Sequence, residues 1–288
     1  MVSWPELGTR VTVRYRRPAG SVPPLTDVIG HLLQVAPLVR VRTKAGDVVD
    51  FTPDDAVALR MLSDAPVRAS EIRALEYADA SAWPGVEQQW LDGWLLRAGR
   101  GGVYEANSAA PLDKSATQQA IPAIVDWYRS RDLTPRLAVA DRLLGLPDEG
   151  QHANWVLVTH VRPAEPDPAV RLTAEPSAAH LQGIPIDELT AAVDGELRFG
   201  NHGTASGRAS VTHSPDGARW VGLSTIHPAD PDATQILCEA LLAWGASRGA
   251  TRGYIRVRDD DRAGAALARS LGFVLHHHAR YVTLRSLT

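Results

Sequence analysis

The 288-residue sequence predicts an α+β protein in which a small β-barrel precedes a larger unit of mixed strands and helices. Three observations predict this class. Residues 9–62 are predicted to form short strands, and residues 9–15 alternate between polar and apolar side chains with the period of two that is typical of strands. From Ala69 the apolar residues recur with helical spacing. After the proline-rich stretch 162–168, the elements follow the order β-α-α-β-β-β-α-β-α-β.

The first part of the chain predicts several short strands. In residues 9–15, Val11 and Val13 share one face, and the intervening polar residues share the other. Further strands are expected at residues 28–35, 38–43 and 48–51. Strands this short and this few close most economically as a small curled barrel, similar to an SH3-like barrel. Residues 1–65 are therefore expected to form the first domain.

The middle of the chain predicts a second unit over residues 66–163. Ser70 is expected to cap its first helix. The stretches 93–97 and 103–107 are expected to be strands joined by a hairpin turn at the glycine-rich residues 99–102, because no helix follows those glycines. A second helix and two more strands are expected at residues 118–130, 136–139 and 155–158.

Residues 168–288 predict a third unit, and its strongest element is a helix over 234–247 with an apolar stripe and Gly249 just past its end. Asp216-Gly217 is a hairpin signal between two of its strands. The other expected strands lie at residues 170–172, 196–199, 205–212, 220–226, 254–257 and 273–284, and the other helices at 177–181, 186–193 and 262–270.

Composition excludes several classes of protein. A formal net charge of -3 gives no global reason to expect a nucleic acid or an acidic membrane surface as partner. One cysteine, Cys238, excludes an intrachain disulfide and a cysteine-based zinc cluster. The N-terminal residues lack the pattern of a signal peptide, and no run of about 18 apolar residues occurs. A cytoplasmic location is therefore expected.

Two motifs resemble a known family. The stretch 244–250 followed by a strand, and the stretch from Asp261 to Leu271-Gly272-Phe273, resemble the central helix and the next helix of the GCN5-related N-acetyltransferase (GNAT) superfamily. The resemblance covers about residues 168–284. The middle segment resembles the degenerate first half of two-part GNAT proteins, so a single GNAT unit or a tandem pair is expected. The whole arrangement resembles actinobacterial proteins that carry an SH3-like barrel ahead of such a pair.

The resemblance implies an enzyme that transfers acetyl from acetyl-CoA, as cosubstrate, to a primary amine. In this family pantetheine lies where two neighbouring strands part, and the diphosphate lies at the start of the central helix. The implied cofactor contacts are Ser224, Thr225, Ile226, Ala233, Thr234, Gln235 and Asp261.

The sequence departs from the family pattern at two places. The loop 228–234 lacks the usual glycines, and Asp230 and Asp232 would repel a diphosphate. Both could instead be helix caps, with Asp232 the favoured candidate, and a capping carboxylate uses the N–H groups that a phosphate would need. Ala268 stands where many family members carry a tyrosine proton donor.

Any proton donor must therefore come from elsewhere, and Tyr281 and His227 rank first, ahead of Tyr254 and the His276–His278 triplet. Glu196 is an alternative base. On a strand only His276 and His278 share a face, and no third ligand is evident, so no metal site is expected.

The sequence leaves several alternatives open. The amine acceptor is either a protein lysine, including one on a histone-like DNA-associated protein, or a small metabolite. A non-catalytic GNAT-fold module with weak or no CoA binding is the second hypothesis. Nucleic-acid binding through Arg14, Arg16 and Arg17 is the third, and acidic residues in the same unit weaken it. The oligomeric state stays open.

Overall fold

The computed structural model describes residues 4–5, 7–43, 45–61, 67–100, 103–145, 151–228 and 230–284, with the side chains of residues 151 and 152 excepted. The chain forms two compact units, Met1–Pro66 and Val67–Thr288.

The first unit is a five-stranded antiparallel sheet in the order β4-β3-β2-β1-β5. Its strands are β1 (Arg10–Arg16), β2 (Leu25–Gln34), β3 (Val39–Thr43), β4 (Val48–Phe51) and β5 (Ala56–Met61), with a 3-10 turn at Pro53–Asp55. Alternate residues of the strands, among them Val11, Val13 and Val41, are fully buried. Arg14, from the proposed basic patch, pairs with Asp27 at 2.8 Å, which reduces the patch's field.

The second unit contains eleven strands and six α-helices among its described residues. The strands are β6 (Glu87–Leu91), β7 (Trp94–Ala98), β8 (Ala109–Pro111), β9 (Arg136–Ala140), β10 (Gln151–His160), β11 (Arg171–Thr173), β12 (Glu196–His202), β13 (Ala205–His213), β14 (Arg219–His227), β15 (Arg252–Arg258) and β16 (Val274–Thr283). The helices are α1 (Ala69–Ala82), α2 (Ile121–Arg129), α3 (Ala178–Leu181), α4 (Ile186–Leu189), α5 (Pro231–Ser247) and α6 (Arg262–Ser270). The order predicted for the chain after residue 168 is confirmed.

All eleven strands form one sheet in the order β11-β12-β13-β14-β15-β10-β16-β9-β8-β7-β6. We call residues 67–160 the first half and residues 171–284 the second half. Strand β10, the last strand of the first half, lies between β15 and β16, and β16, the last strand of the second half, lies between β10 and β9. The two halves therefore exchange their last strands. The predicted domain boundary at residues 163–168 falls between β10 and β11 and stays a prediction.

Two pairs of neighbouring strands are parallel, β14 with β15 and β8 with β9, and the other pairs are antiparallel. A parallel pair needs a crossover connection, which α5 supplies to the first pair and α2 to the second. Helix α5 packs Leu237, Cys238 and Leu241 against the sheet, and all three are fully buried. Burial raises the pKa of the Cys238 thiol to about 12, so this cysteine is a core residue.

The hairpin predicted for residues 93–107 is wrong. Strand β7 pairs with β6 through a two-residue turn at Asp92 and Gly93, and both turn residues have positive φ, 45° and 83°. Two left-handed residues give the turn that suits the twist of a hairpin. The predicted strand 103–107 is a turn at residues 104–106, and β7 pairs instead with β8. Gly101 and Gly102 lie outside the described residues.

Among the described residues, no helix combines the length and the apolar character needed to cross a bilayer.

Candidate active site

The parallel strands β14 and β15 part along their length. Their register runs from Trp220↔Arg252 to Leu223↔Ile255 and ends there. Strand β14 continues for four more residues to His227, and these residues have no register partner in β15. The cleft expected between these strands is therefore present.

A β-bulge lies in β14 where the strands part. Between the pairs Arg208↔Ser224 and Ser206↔His227, β14 has one residue more than β13. Thr225, inside this bulge, has a φ of 47°. A β-branched residue in the left-handed region is strained, and such strain concentrates at functional sites. The Oγ1 of Thr225 and the Nε2 of His227 are buried and have no hydrogen-bond partner among the described residues.

A pocket of about 100 Å³ lies where the strands part, and both halves line it. Its lining residues are Asp79 and Trp83 of α1, Glu105 of the loop before β8, Ser210 of β13, Gly222, Leu223, Ser224 and Thr225 of β14, and Tyr254 and Arg256 of β15. Helix α1 is held on the second half by a hydrogen bond from Thr212 Oγ1 to the carbonyl of Ala78, at 2.7 Å. Gly222 is required because a Cβ there would overlap the Tyr254 ring.

A buried ion cluster joins the two halves beside the pocket. Arg256 on β15 donates to Glu76 at 2.7 Å and to Asp79 at 2.9 Å, and both acceptors lie on α1. His277 on β16 bonds to Glu76 through Nε2 at 2.8 Å. Burial alone would raise the pKa of Glu76, but Arg256 and His277 outweigh burial and lower the pKa to about 2. Glu76 is therefore ionised at neutral pH.

Arg208 contacts the bulged part of β14 through a buried side chain. Its side chain is fully buried and donates to the carbonyls of Ala82 at 2.7 Å and Leu189 at 2.9 Å, and to Ser224 Oγ at 3.2 Å. Its guanidinium lies 4.1 Å from the centre of the Trp83 ring. Burial lowers the pKa of Arg208 to about 10, which leaves it charged at neutral pH. This one side chain fixes the ends of α1 and α4 against the pocket wall.

Three groups near the pocket have raised pKa values. Burial, followed by the charge of Asp79, raises the pKa of Glu105. Burial also raises the pKa of Tyr254, whose hydroxyl is hydrogen-bonded to Ser210. Burial and the charge of Glu105 raise the pKa of Tyr281. Both phenols therefore stay protonated at neutral pH.

The structure places the three predicted catalytic candidates apart. Tyr281 is buried on β16 with its ring edge-on to Tyr104, at 5.4 Å between centres, and it does not line the pocket. His227 ends β14, and burial lowers the pKa of its imidazole, so the ring is neutral at pH 7. Glu196 lies on β12, pairs with Arg248 at 2.5 Å on the surface and does not line the pocket.

Glu105 was missed by the sequence analysis because residues 103–107 were expected to be a strand. The sequence feature that could have indicated Glu105 as a site residue is its position as an acidic residue between Tyr104 and Ala106 in an otherwise apolar stretch. The structure turns the chain at this point and brings the carboxylate to the pocket wall.

The start of α5 is capped by Asp230, so the prediction that Asp232 caps it is wrong. The Asp230 carboxylate accepts from the N–H of Ala233 at 2.9 Å, and the Asp230 carbonyl accepts from the N–H of Thr234 at 2.9 Å. Pro231, at the first helical position, has no N–H. While this cap is in place, three of the first four helical positions offer no donor to a diphosphate. Ala229 lies outside the described residues.

Two further predicted contacts also have local partners. Gln235 donates to Glu239 at 2.9 Å along α5. Asp261 caps α6 by accepting from the N–H of Gly264 at 2.9 Å. The residues present therefore fit acetyl-CoA unevenly: the cleft fits an extended arm, and the helix start fits a diphosphate only if Asp230 moves.

The His276–His278 triplet has structural partners. His276 Nδ1 lies 2.7 Å from His277 Nδ1, and His277 belongs to the ion cluster with Glu76. The part of the chain that the structure describes contains no group of three or more histidine, cysteine or acidic side chains that could hold a metal.

Antiparallel strands leading into a parallel pair that parts beside its crossover helix define the GNAT fold, and the chain has this fold. Two family models match it: "Probable histone acetyltransferase Rv0428c C-terminal" over residues 69–282 and "Rv0428c N-terminal Sm-like domain" over residues 5–60. The chain belongs to this Rv0428c family and is a GNAT-type N-acetyltransferase. Sm-like and SH3-like domains are both small β-barrels, so the predicted class of the first unit agrees with this description.

A curated relative covers the whole chain. The probable histone acetyltransferase Rv0428c of Mycobacterium tuberculosis (strain ATCC 25618 / H37Rv) is 58% identical over 299 residues, which cover 100% of this chain and 98% of the relative. Two similar solved structures are GCN5-related N-acetyltransferases. The one from Kribbella flavida is 15% identical, covers 77% of this chain and 97% of its own, and has a TM-score of 0.49. The one from Sphaerobacter thermophilus is 10% identical, with coverages of 75% and 93% and a TM-score of 0.39.

Proposed function

We propose that the chain transfers an acetyl group from acetyl-CoA to the side-chain amine of a protein lysine. The observation that carries the proposal is the cleft between β14 and β15, which opens after Leu223 and Ile255 and leads to a pocket with carboxylates on its wall. An extended arm can add to the unpaired edge of β14 as a further strand would.

The proposed contacts of acetyl-CoA follow from this cleft. The backbone of Ser224, Thr225 and Ile226 would hold the arm, because β14 has no register partner in β15 there. The unpartnered Oγ1 of Thr225 is a polar atom that a bound arm could satisfy. At the diphosphate end the proposed contacts are Ala233, Thr234 and Gln235 at the start of α5 and Asp261 at the start of α6.

When bound, acetyl-CoA supplies an activated acyl carbon. The chain's own residues orient this carbon and exclude water, since Leu223 and Trp83 form the apolar wall of the pocket. Tyr254 lines the same pocket, and its protonated hydroxyl can stabilise charge that develops on the thioester by a hydrogen bond. Tyr281 and His227, which do not line this pocket, stay proposed proton carriers.

The proposed acceptor class rests on two supports. The relative from Mycobacterium tuberculosis is named as a histone acetyltransferase, which suggests a lysine on a basic, DNA-associated protein. The pocket also presents Glu105, beside Asp79 and its partner Arg256, and a carboxylate such as that of Glu105 attracts the ammonium group of an approaching lysine. Asp230 favours a different function, a non-catalytic module, because its carboxylate holds an N–H that the cofactor would use.

The first experiment separates these two functions. A ligand present at 100 times its dissociation constant stabilises the folded state by about 2.7 kcal/mol. We therefore expect acetyl-CoA in such excess to raise the melting temperature by several degrees, and a CoA-release assay to show turnover with a purified core histone. Ethanolamine, as a small primary amine, is the control acceptor. An unchanged melting temperature with both acetyl-CoA and CoA would contradict the proposed transfer from acetyl-CoA and favour the non-catalytic module.

A further inference from the structure

We propose that Glu105, which the first half carries, is the catalytic base for acetyl transfer in the cleft of the second half. The inference rests on the proposed function, because a base is needed only if an amine attacks a thioester there. It assigns a chemical role to the half whose own parallel strands, β8 and β9, share a single register pair.

Position is the first argument. Glu105 lines the pocket together with Thr225, which lies in the bulge where β14 leaves β15, and with Tyr254 on the opposite strand. A base must reach the proton of the attacking amine, so it must lie in the pocket where the thioester arm ends. Glu105 meets this condition although more than a hundred residues separate it from Thr225 in sequence.

The other carboxylates near the site are committed to partners. Glu76 and Asp79 are both bonded to Arg256, and the pKa of Glu76 is lowered to about 2, which makes it a weak base. Glu188 accepts from the N–H of Arg100 and does not line the pocket. Glu196 is paired with Arg248 on the surface.

Charge around Glu105 supports the same role. Burial, followed by the charge of Asp79, raises the pKa of Glu105, while a backbone hydrogen bond, Arg256 and Arg97 oppose that rise. Tyr281, on β16, is the other titratable group that is electrostatically coupled to Glu105. A carboxyl with a raised pKa accepts a proton more readily than an ordinary one, as general-base catalysis near neutral pH requires.

The reaction step balances without a further reagent. The lysine reaches the pocket as a neutral amine, after its ammonium form has lost one proton to solvent. As the nitrogen attacks the acetyl carbon, the C–N bond forms and Glu105 takes the second proton from nitrogen. The C–S bond breaks with its electron pair on sulfur, and the thiolate of CoA takes the proton that Glu105 holds. The products are the acetylated lysine and CoA, and Glu105 is a carboxylate again.

The test compares Glu105→Gln with Glu87→Gln, which removes a carboxylate from the same half, on β6, where it pairs with Arg131 at the surface. We expect kcat of E105Q with a core histone to fall by about 10²–10⁴-fold, the usual contribution of a general base. In the wild type, kcat should fall at low pH as the base becomes protonated, which is the acid limb of its pH profile. The residual activity of E105Q should lack this fall. The E87Q variant should keep the wild-type kcat and pH profile.

The melting-temperature shift with acetyl-CoA distinguishes a failure of the proposed function from a failure of the proposed role of Glu105. If the wild type shows no shift, the proposed function fails; if E105Q keeps the shift, its loss of kcat concerns the proton step. A kcat of E105Q within threefold of the wild type, or a lower kcat with an unchanged acid limb, would overturn the proposal. If E105Q does not fold, Glu105→Ala with added formate decides: restored turnover supports the base, and none overturns it.

Discussion

Each half of the second unit contains one pair of parallel strands joined by a crossover helix. The two pairs differ in what they can bind. In the second half β14 and β15 share four register pairs and then part. In the first half β8 and β9 meet at a single pair, Ala109↔Leu137. Helix α5 has 17 residues and a carboxylate cap, whereas α2 has 9 residues and no side-chain cap.

The first half contributes to the pocket of the second half although its own parallel pair is short. The first half has no long parallel pair, but its α1 supplies Asp79 and Trp83 to the pocket of the second half, and its loop supplies Glu105. The cleft of one half is therefore completed by the other. Damage to the contacts between the halves should therefore lower the unfolding free energy more than equal damage within one half.

The largest expected effect comes from Arg256→Met. This change leaves Glu76 and Asp79 buried without their cation, and breaking a buried pair in this way costs about 3–5 kcal/mol of unfolding free energy. Equilibrium unfolding in urea measures the loss.

The matched control is Arg258→Met, two residues further along β15. Arg258 pairs with Asp260 within the second half, and the two side chains are 60% and 64% exposed. An exposed pair contributes about 1 kcal/mol or less. Equal losses for the two variants would contradict the idea that the ion cluster joins the halves.

An intermediate effect is expected from Gly222→Ala. The new Cβ would overlap the Tyr254 ring, so the ring must move toward the pocket. Overpacking of this kind costs about 1–3 kcal/mol, and we expect turnover to fall at least about tenfold because the pocket is filled. The CoA-release assay and the melting temperature measure the two consequences.

In the first half, Ala109→Gly changes the single register pair of β8 and β9 and serves as the control. It should lower stability by roughly 0.5–1 kcal/mol and leave the response to acetyl-CoA unchanged. Full activity of G222A would show that the space in front of Tyr254 is not used by the reactants.

The smallest effect is expected at Asp230, where stability and binding should change in opposite directions. Asp230→Ala removes the cap of α5 and should cost about 1 kcal/mol, yet it frees the N–H of Ala233 and removes a negative charge beside the diphosphate. Acetyl-CoA should therefore bind more tightly, as titration calorimetry would measure. Asp230→Asn keeps the cap without the charge, so it should improve binding and preserve stability. Weaker binding by both variants would refute this view of the cap.

Local sequence patterns predicted most elements of the second half. The apolar stripe of α5, the Leu271-Gly272-Phe273 ending after α6 and the alternation along its strands all depend on residues close in sequence, so their order could be stated without coordinates. The cleft was expected from the resemblance, and it lies at the predicted strands.

Features that depend on distant residues could not be predicted. Strand β10 pairs with β15 and β16, about a hundred residues away, and nothing in its alternation specifies these partners. Glu105 reaches the site for the same reason, through packing of one half on the other. The cap of α5 was predictable in principle, because Pro231 favours the first helical position and so indicates Asp230 as the cap.

The exchange of last strands has a consequence for synthesis of the protein. Strand β16 leaves the ribosome after every other strand of the sheet, and β9 needs it as a neighbour. Until then β9 exposes an unpaired edge, and such edges invite pairing with other chains. The sheet of the first half is therefore completed only after β16 has been synthesised.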